Sequence, residues 1–466
     1  AVAGGRVFHF QDQTALQTVE AALQEADSRP GLDVGSQWIL RKVLSDGFPF
    51  EQFSLEAEAA AYAATTGAKT AFFILVDFPD LPGAPIAAAS LEQVIDIDVN
   101  NALSEYSYGL TSMNATVSGV TYTVDSSSTE YFGLKDNNDI YDEALAAYMA
   151  AGNDDPRSTY DTVAVYFTNI GFDWAGLASV GGQKMWLDGS SNPEVILHEF
   201  GHNYGLSHAN YWVHDNSNGS SIDPVDPTGA NEEYGDPTDV MGDGAIEEGH
   251  FHVAGKQQLG WLAGNQWQDL STSADNGSYR VYRFDDADAT GLQALRIAKS
   301  ATGEHYWLSY RKAHNNLISY RRGAYLIWEQ AENADRNQSW LIDTTPGSAE
   351  GKDDAPLRLG HTYADTTSEV YITVTAVSES DSDEYLDAVV NFGPFSGNSA
   401  PTATLSGQLT TTARQAVLFS VDATDADGDT LAYAWDFGDG SVTSNTAEVT
   451  HSWAVGGTYA VYITIS

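Results

Sequence analysis

Val195-Ile-Leu-His-Glu-Phe-Gly-His-Asn-Tyr-Gly-Leu-Ser-His208 spells H-E-x-x-H-x-x-G-x-x-H with every position filled. His198 and His202 are four residues apart, so on a helix they sit one turn above the other and aim both imidazoles at one point. Glu199 lies on the same turn. Gly205 tolerates a positive φ, so the helix can stop there and the chain can swing back to deliver His208. Three neutral imidazoles leave a tetrahedral Zn²⁺ with one open position for water, the pattern of a catalytic site and not of a structural one. Bound zinc brings the pKa of its water to roughly 7 and polarises a carbonyl oxygen. Glu199 is then placed to take the water's proton and pass it to a leaving amine, the base and acid roles of amide hydrolysis. Two histidines at i and i+4 arise often by chance. The glycine and third histidine at fixed offsets do not.

The sequence beyond this helix extends the pattern. Tyr234-Gly-Asp-Pro-Thr-Asp-Val-Met241-Gly242 is a Gly/Pro/Asp-rich turn holding a methionine. A methionine is ordinarily core filler, but its place after such a helix resembles the metzincin metalloproteases and their Met-turn. The resemblance implies that Met241 forms an apolar floor under the metal. Some metzincins carry a tyrosine ligand two residues after that methionine; the position here is Asp243, so three protein ligands are expected, His198, His202 and His208. Phe73-Ile-Leu-Val-Asp77, Ser107-Tyr-Gly109 and Gln258-Leu-Gly-Trp-Leu262, taken with the helix and the turn, look like the gametolysin-type peptidases and the related immune inhibitor A group over residues 70 to 265. His208 stands where immune inhibitor A-like enzymes generally place an Asp, which favours the gametolysin side. The resemblance implies a secreted zinc metalloendopeptidase with Glu199 as general base. It also implies an α+β metzincin-like catalytic domain, a twisted mixed sheet plus the zinc-binding helix, followed by β-sandwich domains.

Composition bounds the partners. The 466 residues suggest roughly three domains of about 150 each. Lys+Arg 21 against Asp+Glu 65 give a net charge of −44, which argues against nucleic acid or an anionic membrane as partner. Such a charge suits a soluble protein in salty surroundings and supplies ligands for Ca²⁺. Asp215, Asp223 and Asp226 are candidates for a Ca²⁺ clamp, although solvated turn residues are the commoner explanation. The absence of cysteine excludes disulfides, thiol catalysis and latency by a thiolate on the zinc. No apolar run approaches a membrane span. No charged and apolar leader precedes Ala1, so a signal peptide is absent or already removed. His9 is alone in its region and reads as structural; His214, His250 and His252 read as surface groups or as support behind the ligands.

Residues 1 to 68 read as a helical segment, a propeptide remnant or an accessory lobe, with Leu16, Val19 and Leu23 at helical spacing. The zinc protease domain is expected over 69 to 266. Within it, a buried strand over Thr70 to Asp77, a helix over Leu91 to Tyr106, alternation over Ala115 to Val124, a helix over Tyr141 to Ala151 and a strand over Thr162 to Thr168 imply a layered α/β unit. Gly176, Leu177, Ala178 and Ser179 read as a short edge strand. An unpaired edge beside the cleft can bind an extended peptide through main-chain hydrogen bonds; a simple turn is the alternative.

From 267 to 394 short alternating strands suggest a β-sandwich. Its Tyr306, Trp307, Tyr310 and Trp328 are explained more cheaply by interior packing than by an exosite. Residues 395 to 401 are a linker by composition. Residues 402 to 466 resemble a PKD domain through Tyr433-Ala-Trp-Asp-Phe-Gly-Asp-Gly440 and His451-Ser-Trp453. That resemblance implies a small Greek-key sandwich able to engage insoluble extracellular polymers, with Trp435 in its core. Asp425, Asp427 and Asp429 hold Ca²⁺ or only build a turn. The substrates expected are proteins or peptides. The rivals are a noncatalytic matrix-binding adhesin on a protease fold, against which the intact Glu199 speaks, and a protease specific for glycosylated proteins.

Overall fold

The computed structural model describes residues 65–466 apart from 134, 136, 214–224, 226–228, 245–248, 300–302, 312–317, 330–338, 346–350, 379–383, 394–400, 408–409, 427, 429–430, 440–441, 444–445 and 466. Of residues 1–64 it describes one antiparallel pair, Val2–Ala3 with Arg6–Val7. The helices expected before residue 65, and His9 with them, lie outside the described residues. So do the linker up to residue 400, Asp215, Asp223, Asp226, His214, Asp427 and Asp429.

The unit from Thr65 onward begins with a five-stranded sheet. Its strands are β1 (Gly67–Asp77), β2 (Thr111–Thr123), β3 (Thr162–Phe167), β4 (Gly176–Ala178) and β5 (Lys184–Asp188), in spatial order β2-β1-β3-β5-β4. All pairs are parallel except β4 on β5, which makes the sheet mixed and puts β4 at one edge. The continuous apolar run of β1 is buried on both faces, as a central parallel strand requires. Phe73, Leu75, Tyr166 and Leu187 face one core; Phe72, Ile74, Val165, Phe167 and Trp186 face the other, against Tyr131, Ile140 and Leu145.

The two edges of this sheet are treated differently. Helix α1 (Ala88–Gln93) runs through a π-helical turn, Val94–Val99, into α2 (Asn100–Tyr106). Its Glu92, Asp96 and Asn100 accept hydrogen bonds from the Val117, Ala115 and Met113 amides of β2. Four helical residues rise about 6 Å, close to two residues of a strand, so a spacing of four meets a spacing of two. The β2 edge is thereby closed by side chains. The β4 edge has no such cover among the described residues.

A second sheet of eight strands takes members from both sides of residue 267. Its main path runs Trp267–Leu270, Ala294–Ala298, His305–Ser309, Gly323–Glu329, Ser339–Ile342, β6 (Ala209–Val213) and β7 (Ala230–Glu232). β6 lies parallel to Ser339–Ile342 and antiparallel to β7. A four-stranded sheet faces it, and Leu295, Tyr306, Leu308 and Trp328 share one core with Val281, Ile372, Val374 and Leu386. Tyr306, Trp307, Tyr310 and Trp328 are all buried, so they pack the interior. Two three-stranded sheets after residue 401 close on Phe419, Trp435, Phe437 and Trp453, with Trp435 fully buried. Among the described residues no helix is long and apolar enough to cross a membrane.

Candidate metal centre

Helix α5 (Pro193–Tyr204) carries the first half of the site; α3 (Ser128–Gly133) and α4 (Asn137–Ala150) lie earlier in the chain, on the other face of the first sheet. Its start is fixed by Asn192, whose side chain accepts from the Glu194 amide at 3.0 Å, and by Pro193 in the first helical position. Ile196, Leu197 and Phe200 are buried in the core. Gly205 ends the helix at φ +107°, with its amide on the His202 carbonyl at 2.8 Å and that of Leu206 on the Gly201 carbonyl at 3.0 Å. Three residues later His208 stands at the head of β6.

The three imidazoles converge. One ring nitrogen of each of His198, His202 and His208 lies within 4.8 Å of the others. His198 Nδ1 is 2.8 Å from the Val240 carbonyl and His202 Nδ1 is 2.8 Å from the Leu206 carbonyl. A carbonyl only accepts, so each Nδ1 carries the proton and each Nε2 presents a lone pair. Those two Nε2 atoms face each other at 3.1 Å with no proton to share. A cation between them satisfies both, and this donor set fits a zinc ion. Burial is the largest cause at each of the three and lowers all of them, His198 to about 3 and His202 to about 4; neighbouring histidine charge adds to this at His198 and His202, while Glu233 opposes it at His208. Neutral imidazole is the ligating form.

Glu199 is buried beside them. Its Oε2 has no hydrogen-bond partner among the described residues, and burial pushes its pKa up to about 8. It packs against the open edge strand: a Cβ built on Gly176 would lie 2.6 Å from Glu199 Oε1 and 2.7 Å from Val195 Cγ1. Only glycine fits there, and β4 therefore runs directly past the carboxylate. Gly201 plays a similar part below the helix, where a Cβ would meet Met241 Sδ at 2.2 Å. Met241 is buried, and its turn is held by Asp239, which accepts from the Met241 amide at 2.7 Å and the His252 amide at 2.6 Å.

The pairing of β4 with β5 shows which groups face the open edge. The Asp188 amide donates to the Ala175 carbonyl and the Ser179 amide to the Lys184 carbonyl, each at 3.0 Å. In an antiparallel ladder hydrogen-bonded pairs alternate, so Ala175, Leu177 and Ser179 turn inward and Gly176 and Ala178 turn their N–H and C=O groups outward. Ser179 itself falls just outside the strand.

Two residues at the site gave no signal in the sequence. Glu233 accepts from His208 Nδ1 at 2.7 Å. Tyr234 stacks on His208 with ring centroids 3.8 Å apart and lies 5.7 Å from the His198 ring. Tyr234 adopts φ +60°, held by its amide on the buried Asn210 side chain at 3.0 Å. Both follow β7, which its pairing with β6 brings beside His208. Lys352 Nζ reaches Glu232 at 2.8 Å, and Trp340 Nε1 donates to Asn231 at 2.7 Å. Of the two readings of His250, surface group or support behind the ligands, its burial under Tyr106 and Phe284 leaves the second: its carbonyl accepts from the amide of Val240, whose own carbonyl holds His198. His252 Nε2 lies 2.5 Å from Ser339 Oγ and 3.6 Å from Asp239 Oδ2.

Residues 98–222 match the gametolysin peptidase M11 family, and residues 398–466 match the PKD domain. The chain thus carries a metallopeptidase region with a C-terminal PKD domain, the resemblance read from its motifs. No curated protein matches the chain. Among solved structures, one titled "Structure of a chaperone-substrate complex" aligns at 20% identity over 32% of this chain and 29% of that one, with a TM-score of 0.20. The chain covers under a third of that structure's length, and a likeness at this level says nothing about fold or function.

Proposed function

We propose that the chain is a secreted zinc metalloendopeptidase of the metzincin type, cleaving peptide bonds in extracellular proteins. The observation that carries this reading is the pair of facing Nε2 lone pairs, completed by His208, beside a buried carboxyl with an unpartnered oxygen. Zinc held by His198, His202 and His208 supplies Lewis acidity, which makes water nucleophilic near neutral pH and polarises a carbonyl. Glu199 takes a proton from the attacking water as the new C–O bond forms, then gives it to the amine nitrogen as the C–N bond breaks. A cation bound beside it would favour the ionised carboxylate, the form that accepts the water's proton. An extended substrate pairs with the outward amides and carbonyls of Gly176 and Ala178, which brings a backbone carbonyl past Glu199. The closed β2 edge supports this assignment, since an edge left open beside a reactive carboxyl is an exception to the protection usually given to edges.

Casein and gelatin hydrolysis by the purified chain tests the reading. Cleavage is expected, to be lost with a zinc chelator and restored by Zn²⁺. Glu199→Ala is expected to bind zinc normally and lose about 10²- to 10⁴-fold in rate. Full activity in that variant removes Glu199 from the mechanism. Stoichiometric zinc with no cleavage of any substrate favours the matrix-binding alternative.

A further inference from the structure

At the entry to β4 lies an aromatic surface that the hydrolytic reading does not use. Phe172 and Trp174 stack with ring centroids 4.6 Å apart at 11°, and Phe132 joins Phe172 at 6.2 Å. Phe132 sits on α3 and is 59% exposed, unusual for so large an apolar side chain. Buried Phe167 backs both Phe172 and Trp174, at 6.3 Å from each.

This surface is built to keep its shape. The buried Asp188 carboxylate accepts from the Ile170 amide at 2.8 Å and the Phe172 amide at 3.2 Å, clamping the loop that carries both rings to the end of β5. Gly171 takes φ +97°, and a Cβ there would lie 3.7 Å from the Phe132 ring, so Phe132 packs over the loop backbone. A preformed apolar surface loses little freedom when it takes a partner.

The register of β4 says what would reach it. In a sheet, residues opposite one another on neighbouring strands point to the same face. A peptide residue opposite Gly176 points toward α5 and Glu199. Its neighbour on the Ala175 side points to the other face, where Leu177, Trp174 and Phe172 pack.

We propose that Phe132, Phe172 and Trp174 form a specificity subsite for an aromatic or large aliphatic side chain of an extended peptide paired on β4, at the residue next to the one over Glu199. This rests on reading the chain as a peptidase with β4 as its substrate strand. The gain is the apolar area that the substrate side chain and the three rings remove from water together.

The test uses matched extended peptides that differ only by Phe or Ser at one scanned position. Binding is measured by calorimetry to the zinc-loaded Glu199→Ala chain, so that no peptide is consumed, and cleavage is measured with the unmodified chain. At one position only, Phe is expected to bind about tenfold tighter than Ser, with a similar ratio in kcat/KM. Trp174→Ala and Phe132→Ala, each added to the chain used, are expected to bring both ratios toward one, and Trp174→Phe to retain them. Equal binding of Phe and Ser peptides at every position, or a ratio untouched by Trp174→Ala, overturns the subsite. Cleavage with no preference at any position overturns the subsite and leaves the peptidase reading standing. A binding preference that falls in Trp174→Ala, with no peptide cleaved, upholds the subsite and overturns the peptidase reading.

Discussion

The two sides of the metal centre are built on different principles. On the helix side, His198 and His202 are aimed by α5, and their Nδ1 protons go to the main-chain carbonyls of Val240 and Leu206. On the arm side, His208 is held by the Glu233 side chain, 56% exposed, and covered by Tyr234 in a left-handed conformation. The helix side is buried and anchored on main-chain carbonyls. The arm side is assembled from strands: β7 pairs with β6, β6 pairs with Ser339–Ile342, and Lys352 and Trp340 hold the arm. A metal site can therefore share its anchoring between a rigid element and one that depends on a second layer of the molecule.

If this division is right, variants on the two sides differ in kind. His202→Ala removes a ligand from the rigid side and is expected to abolish stoichiometric zinc binding, read by metal analysis after dialysis; retained stoichiometric zinc contradicts the ligand set. Glu233→Ala leaves all three ligands in place and loosens one. An expected loss of about 10- to 100-fold in zinc affinity follows, the usual cost of removing a hydrogen-bond partner behind a ligand. Competition with a chelator measures it. Glu233→Gln still accepts a hydrogen bond from His208 and should fall between. Unchanged affinity in Glu233→Ala would mean that the arm merely covers His208. Lys352→Ala acts one step further out and breaks a partly exposed ion pair worth about 0 to 1 kcal/mol. A few-fold loss of zinc affinity is the ceiling, and a larger one would show that the arm depends on Lys352 more than a surface pair can explain.

The same division governs what could be read from the sequence. The i, i+4 histidines, the glycine that ends α5 and the methionine turn are local patterns, and each appears where its spacing placed it, with Gly205 at positive φ and Met241 against Gly201. The buried strands announced themselves through apolar runs, as in β1 and β3. Strand β7 had no such signal. All three of its residues are exposed and none is strongly apolar, so Ala230, Asn231 and Glu232 look like loop. Glu233 and Tyr234 carry no local signal as site residues for that reason, since they are placed by the pairing of β6 with β7, where Tyr211 lies opposite Glu232. His250 reads from the sequence as a surface group or as support behind the ligands, and only the second fits its burial. Its neighbours Gly249 and Phe251 do not reveal that Tyr106 and Phe284, far away in sequence, close over it.

The buried carboxylates beneath the helix side set a pH dependence of stability. Asp239 holds the Met241 and His252 amides, and Asp236 holds Thr238; both carboxylates are fully buried, and at Asp239 the loss of water outweighs the opposing charges of Arg311 and Lys256. Burial raises Asp239 to about 7, and burial with the charge of Asp239 raises Asp236 to about 6. In the unfolded chain an Asp titrates near 3.9. Between about pH 4 and pH 7 the unfolded chain has released these protons while the folded chain keeps them, so the unfolded state binds fewer protons and stability falls as pH rises. Their contribution is complete below the unfolded value and is lost as pH passes the raised values. Denaturant unfolding of the metal-free protein should therefore show a component that declines from pH 4 toward 7. Asp239→Asn, which keeps an accepting oxygen but cannot ionise, should flatten it. An unchanged slope in that variant would mean that Asp239 is ionised in the folded state and that the turn under the helix rests on its charge.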